Sequence, residues 1–489
     1  TGNRAIVFGD RGQIVKQAYK ELPQHYPQAG WVEHDPLDIW KDTREVMQSV
    51  LIETAISPSE IAAVGLTVQR ETCLLWDKTT GQPLHKAIVW QDRRTADKCD
   101  RLRAEGHAAE IERRTGLQLD AYFSATKLAW LIDYVRQDRP DLDWSNVLAG
   151  TVDTWMLWNL TGGKVHVTDH SNASRTLLMN IDKADWDETL LDLFGIPAHI
   201  MPEIRPSIGE FGQLDPEIFG AAIPITAILG DQQAALFAHG CDCPGLMKCT
   251  YGTGSFLVSH TGTEVKRSQN KLLSTVAWSR QLSGQLNIGY ALEGSIFTTG
   301  ASIQWLRDGL QLIENAADTE ALCESVPDTN DTYFVPALSG LGAPHWDMTA
   351  RGAFFGLTRG TTRAHMVRAV LEAIAFQVTE IVTCINADLG TPIQRLKVDG
   401  GACQNDFLMQ FQADVADIEV ERPQVLDATA QGAAFAAGLG VGFWSDYAEL
   451  VALRNIDRVF KPGEGSTAAR ARFATWQEAV RRVKDWPTI

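Results

Sequence analysis

Strands that alternate with helices along the whole chain predict an α/β protein built in two halves. Three observations carry this expectation. The 489 residues exceed one ordinary domain. An apolar strand run at 225–229 passes through Gly230 into the helix formers of 232–237 without a linker. A glycine hairpin followed by helices and a further strand then repeats the scheme after residue 240. The repetition places the boundary near Gly240, giving domains at 1–240 and 241–489.

Taken in order, residues 4–8 and 13–19 predict a hairpin around Gly9 to Gly12, and a helix follows over 36–54. Asp35 caps that helix and Pro36 fills its first position, where a missing N–H costs nothing. A strand over 61–68 delivers Gln69, Arg70, Glu71 and Thr72 to its end, and 87–90 does the same for Gln91 to Arg94. In the second half, a hairpin turns at 252–254. Helices are expected near 300–313 and 364–388, a strand at 396–398, and a helix after Asn405. The Ala- and Gly-rich stretch 427–440 predicts a helix packed very close to a neighbour.

Composition bounds the function. Apolar residues make up 45% of the chain, ample for ordinary cores, while the formal net charge of −17 and the absence of a basic run argue against a nucleic-acid or anionic-membrane surface. The longest apolar stretch in this reading, 433–444, is about half the length of a membrane span. No secretory signal is visible, and the eight scattered cysteines form no disulfide ladder, so a cytoplasmic, reduced protein with free thiols is expected. Cys241, Cys243 and Cys249 do not have zinc-knuckle spacing.

Asp231 stands at the carboxyl end of a strand, where open α/β sheets bind ligands. Its carboxylate can accept a hydroxyl proton, with Gln232 offering a donor and an acceptor beside it; equally, Asp231 can be a helix cap. The Gly-Thr-Gly turn at 252–254 lets backbone N–H groups and the Thr253 hydroxyl approach a phosphate. Gly400 and Gly401 end a strand just before Asn405, a geometry open to a nucleotide or simply a tight turn. Gly300 and Gln304 lie one helical turn apart and can share a ligand or a buried contact. Trp90, Tyr122 and Phe256 neighbour polar strand ends or turns, as core residues or as pocket walls.

Eight segments, GLTVQRETCLLWD, AIVWQDRRT, GTVDTWMLWNLTGGKVHVTDHSNASRT, GDQQAALF, TYGTGSF, ALEGSIFTTGASIQWLRD, SGLGAPHWDMTARGAFFGLTRG and VDGGACQNDFLMQFQADV, span nearly the whole chain. In them the sequence resembles the glycerol kinases, a branch of the carbohydrate kinase family that shares the actin and Hsp70 type of ATPase fold. QRET, GDQQAALF and ASIQWLRD are the segments that separate this branch from its sugar-kinase cousins. The resemblance implies two actin-like (ribonuclease H-like) domains with an inter-domain active-site cleft. It also implies that Arg70, Glu71, Tyr122, Asp231 and Gln232 hold glycerol, with Trp90 and Phe256 packing on its carbons. Thr253, Gly300, Gln304, Gly401 and Asn405 would hold ATP or ADP, and Asp231 would lie near Mg²⁺.

One departure stands out. The first phosphate hairpin of the family reads like DQGTTxxR, and Thr1, Gly2, Asn3 and Arg4 match only its tail. Thr1, Gly2 and Arg4 are therefore expected phosphate contacts. The strand 4–8 is expected to be preceded by roughly ten further residues, an apolar strand plus an Asp-containing Gly/Thr turn. The expected reaction is γ-phosphoryl transfer from MgATP to glycerol; a kinase for another short polyol or ketose, or a nucleotide-binding regulator without turnover, are the alternatives. Glycerol and ATP are the expected partners, with no nucleic acid or membrane insertion, and homo-oligomerisation is left open.

Overall fold

The computed structural model describes residues 2–486 and divides into two compact units. The first comprises the chain up to Gly240 together with Ser274–Tyr290 and Thr429–Leu453; the second comprises Cys241–Leu273, Ala291–Ala428 and the chain from Arg454 onward. Two later stretches thus return to the first unit, which a single cut at residue 240 does not anticipate.

In the first unit, strand Gly2–Phe8 pairs antiparallel with Ile14–Glu21, and helix Pro36–Thr54 follows with Asp35 accepting the Leu37 N–H. The strand expected at 61–68 is shorter, Val64–Val68, because Ser57 and Glu60 first close a capped turn at Pro58–Glu60. It pairs in parallel with Ile225–Gly230, and Val68 lies opposite Gly230. A cavity of about 500 Å³ is lined by 4–9, by 61–67 and by apolar residues that include Leu160, Phe219 and Trp444. The strand expected at 87–90 is only Ala87–Ile88, since Asp92 N–H turns back to Val89 and Trp90 N–H goes to the Thr72 hydroxyl.

Helix Ala428–Gly440 explains how strand ends are held in place. A Cβ on Gly432 would lie 1.8 Å from the Ala234 carbonyl oxygen, and one on Gly65 would lie 2.0 Å from that of Ala433. Only glycine fits such backbone-to-backbone packing. The Thr226 hydroxyl adds a 2.8 Å bond to Ala437 O. Ala227, Leu229, Ala234 and Phe237 pack here with Phe435 and Trp444 in one core, while Trp76, Trp155 and Phe211 belong to another.

The second unit contains strands Leu246–Tyr251, Arg395–Asp399 and Glu419–Pro423 in parallel register, with Ser255–Gly262 antiparallel beside the first. Helix Arg363–Leu389 runs through its core. Among the described residues, by length and composition this helix, not 433–444, is the one apolar enough to cross a membrane; 89% of its apolar window is nevertheless buried in protein, as for a core helix. The helix expected at 300–313 is shorter, Gly300–Gln304 followed by a π-helical turn at Trp305–Gly309. All eight cysteines are free, Cys243 being exposed.

Candidate active site

Parallel pairing of Val64–Val68 with Ile225–Gly230 brings two strand ends side by side, and with them Arg70 and Asp231. Arg70 Nε lies 3.2 Å from Asp231 Oδ1. Gly230 permits the approach, because a Cβ there would meet the Arg70 side chain at 2.7 Å. Asp231 is not the helix cap: that position is Gly230, and Asp231 opens helix Asp231–Ala238 with Oδ1 also accepting the Gln232 N–H. Arg70 is buried and its Nη1 donates to Gln233 Oε1 at 3.3 Å. The Gln233 amide in turn donates to Val276 O, so this guanidinium is held from two sides.

Glu71 has φ 63°, a left-handed conformation that costs a non-glycine residue about 1–3 kcal/mol and marks functional sites. Its carbonyl accepts from the Ser124 hydroxyl at 2.9 Å and its Oε1 from Arg175 Nε at 2.7 Å. Tyr122 is clamped in a comparable way. Asp120 Oδ1 accepts its N–H at 2.8 Å, and Lys127 Nζ donates to its carbonyl at 2.6 Å and to that of Ala121 at 3.0 Å. Burial pushes the Lys127 ammonium below the usual lysine range. Trp90 meets Tyr122 edge to face at a centroid distance of 5.6 Å, an apolar corner, and Gln232 and Glu71 are themselves buried.

These contacts bring Arg70 to Asp231 and Glu71, and Trp90 to Tyr122, all within the first unit. Arg175, Lys127, Gln233 and Ser124 support these groups without any signal in the motifs that point to the site. Lys127 could have been found as the cation in the fully buried first turns of helix Ser124–Asp138, and Arg175 as the lone cation of the segment HSNASRTLLMN.

The second unit gathers the glycine turns. Between strands Leu246–Tyr251 and Ser255–Gly262 the turn at 252–254 accepts three amides: Thr299 and Ala301 N–H go to Thr253 O, and Gly300 N–H goes to Gly252 O at 3.0 Å. A Cβ on Gly300 would meet that oxygen at 2.6 Å, so the residue must be glycine. Gly400, at φ 89°, lies as close to the same hairpin, since a Cβ there would come within 2.4 Å of Tyr251 O. Gly401 has nothing within 4 Å of where a Cβ would stand, and Thr253 and Gln304 are exposed. This open floor of backbone fits a nucleotide. Asn405 caps helix Asp406–Ala416 through Leu408 N–H, and its amide donates to Thr319; a side-chain hold on a nucleotide competes with both bonds. Phe256 is half-buried on the strand after the turn.

Gly2 and Arg4 lie on the first strand, opposite Glu21 and Tyr19, with the Arg4 guanidinium 5.3 Å from the Tyr19 ring centroid. Thr1 lies outside the described residues. Among the described residues no three His, Cys, Asp or Glu side chains converge to hold a metal ion. Such a donor set suits Mg²⁺ carried chiefly by nucleotide phosphates, with Asp231 as a single protein carboxylate.

A carboxylate and guanidinium at paired strand ends, with glycine turns on a second α/β unit, define a phosphoryl-transfer enzyme. The chain belongs to the FGGY family of carbohydrate kinases, whose N-terminal domain matches residues 1–238 and whose C-terminal domain matches 247–441. It is 68% identical, over 99% of its length and 97% of the relative's, to a glycerol kinase of Acaryochloris marina. Against glycerol kinase 2 of Thermotoga maritima the identity is 52% over the same shares. Among solved structures, Plasmodium falciparum glycerol kinase with ADP is similar at a TM-score of 0.89 and 35% identity, covering 99% of this chain and 96% of that one. A ligand-bound xylulose kinase from Lactobacillus acidophilus has a TM-score of 0.86 at 21% identity, covering 98% and 95%, a likeness of fold alone.

Proposed function

We propose that this chain transfers the γ-phosphoryl group of MgATP to a terminal hydroxyl of glycerol, giving sn-glycerol 3-phosphate and ADP, in the cytoplasm. The observation that carries the reading is the Arg70–Asp231 pair at adjacent strand ends, beside the corner formed by Trp90 and Tyr122. Identity of 61–68% to relatives named glycerol kinase, and likeness to a glycerol kinase with ADP, support glycerol as acceptor and ATP as donor.

The residues of the first unit bind the acceptor. Arg70 donates to a hydroxyl, Glu71 accepts from one, and Gln232 and Tyr122 fix the remaining polar direction. Trp90 covers the carbon backbone, with Phe256 assigned to the same task. Asp231 takes the proton of the attacking hydroxyl; its contacts with Arg70 and Gln232 N–H both fall on Oδ1, which leaves Oδ2 for that role. Thr253, Gly300, Gln304, Gly401 and Asn405 hold the nucleotide in the second unit, and Thr1, Gly2 and Arg4 are assigned to its phosphates. Mg²⁺, when bound, neutralises phosphate charge. Catalysis is then largely positioning and electrostatic stabilisation.

A coupled ADP-release assay on glycerol and a panel of three- to five-carbon polyols and ketoses tests this reading. The highest kcat/KM is expected for glycerol. A preference for a pentulose would overturn the acceptor assignment.

A further inference from the structure

We infer that Arg175 is a positioning residue for the acceptor site: it fixes the conformation and charge of Glu71 and braces Tyr122, so that both meet the substrate hydroxyls ready-formed. The inference rests on the glycerol reading above and concerns a residue that touches no substrate. Its side chain is fully buried, and its Nε donates to Glu71 Oε1 at 2.7 Å. The guanidinium carbon lies 5.8 Å from the centroid of the Tyr122 ring and 5.4 Å from that of Phe123. One cation therefore contacts two residues assigned to the acceptor.

The backbone shows why the acceptor site requires such a brace. Glu71 is in a left-handed conformation that persists only where its surroundings hold it. Ser124 holds the carbonyl, and Arg70 Nε is 3.9 Å from Oε1, too far for a hydrogen bond. Arg175 supplies the close charge-assisted bond to the carboxylate. Its own position is fixed by a short, strongly capped turn. Asp169 accepts the N–H groups of Ser171 and Asn172 at 2.8 and 3.0 Å, and Arg175 N–H returns to Asn172 O at 3.0 Å. An ionised Glu71 can only accept hydrogen bonds, so a site held this way reads substrate hydroxyls as donors at that point.

Kinetics of Arg175→Ala and Arg175→Lys test the role. The Ala variant is expected to raise the KM for glycerol about 10- to 100-fold, the loss of one charge-assisted hydrogen bond. The KM for ATP should stay within twofold of wild type, and added guanidinium should recover part of the loss. Arg175→Lys should be intermediate, because a lysine keeps the charge without the planar fork. A glycerol KM within twofold of wild type in both variants overturns the inference. So does a parallel loss of melting temperature and of both KM values without guanidinium rescue. Should the Ala variant not fold, the Lys variant decides by the same glycerol-to-ATP comparison. Wild-type turnover of glycerol is measured first in the same assay: its absence refutes the acceptor assignment, whereas normal turnover with an indifferent Arg175 refutes the positioning role alone.

Discussion

Arg70 Nε stands 3.2 Å from Asp231 Oδ1, although the two residues are far apart in sequence. The contact follows from register: Val68 and Gly230 are partners in a parallel strand pair, and each strand ends within two residues of the charged group it delivers. The Arg70 side chain is 2% exposed and that of Asp231 32%, so the carboxylate is the more accessible member of the pair.

Replacing that carboxylate isolates its chemistry. Asp231→Asn keeps the shape but cannot accept a proton, and kcat is expected to fall about 10²- to 10⁴-fold. Glycerol binding, read by calorimetry, should change little. Near wild-type turnover would leave Asp231 as a mere first residue of its helix.

Arg70→Ala should act on the other parameter. Removing a buried donor leaves a hydroxyl unpaired at a cost of about 1–3 kcal/mol, and the glycerol KM should rise roughly 5- to 150-fold. Steady-state kinetics with glycerol varied at saturating ATP provide the check, and an unchanged KM would take Arg70 out of the site.

Much of this arrangement is legible in the sequence, and what escapes has physical causes. Asp35 with Pro36 announces its helix, and Gly252 to Gly254 their hairpin, because caps and glycine turns are local signals. The strand before Gln69 begins late because a capped turn at Pro58–Glu60 intervenes, a competition between local hydrogen bonds that an apolar run does not reveal. Arg175 escapes because its partner, Glu71, is distant in the chain, and Lys127 because its partners, the carbonyls of Ala121 and Tyr122, lie in a nearby loop with no periodicity. The return of Ser274–Tyr290 and Thr429–Leu453 to the first unit is likewise a tertiary fact. Only the glycines of helix Ala428–Gly440 hint at it.

Those glycines give a stability prediction. A Cβ at Gly432 would collide with Ala234 O at 1.8 Å, within the helix that Asp231 opens. Gly432→Ala is expected to cost at least about 1–3 kcal/mol as the two backbones part. The urea midpoint should fall, and kcat should drop with it because Asp231 moves. An unaltered midpoint would mean that the helices are not in this contact.

His260 makes stability depend on pH. Burial pushes its imidazole down to about 4 against the opposing charge of Asp242, and its Nδ1 accepts the Gly262 N–H at 3.0 Å, a bond only the neutral ring can form. Below the ordinary value of about 6.5 the unfolded chain takes up a proton that the folded chain refuses until about pH 4. This contribution is therefore fully present above pH 6.5 and falls by up to about 3 kcal/mol as pH drops towards 4. In His260→Gln, the loss of urea midpoint between pH 7 and pH 4.5 should be smaller than in wild type; equal losses would assign the acid sensitivity elsewhere.

The most direct measurement is product identification by phosphorus NMR, with the purified protein, MgATP and an equimolar mixture of glycerol and xylulose. sn-Glycerol 3-phosphate is expected to appear in step with ADP while xylulose stays unphosphorylated, and Asp231→Asn is expected to leave the mixture essentially unchanged over the same time. ADP without glycerol phosphate, or xylulose phosphate as the main product, would contradict the proposed transfer.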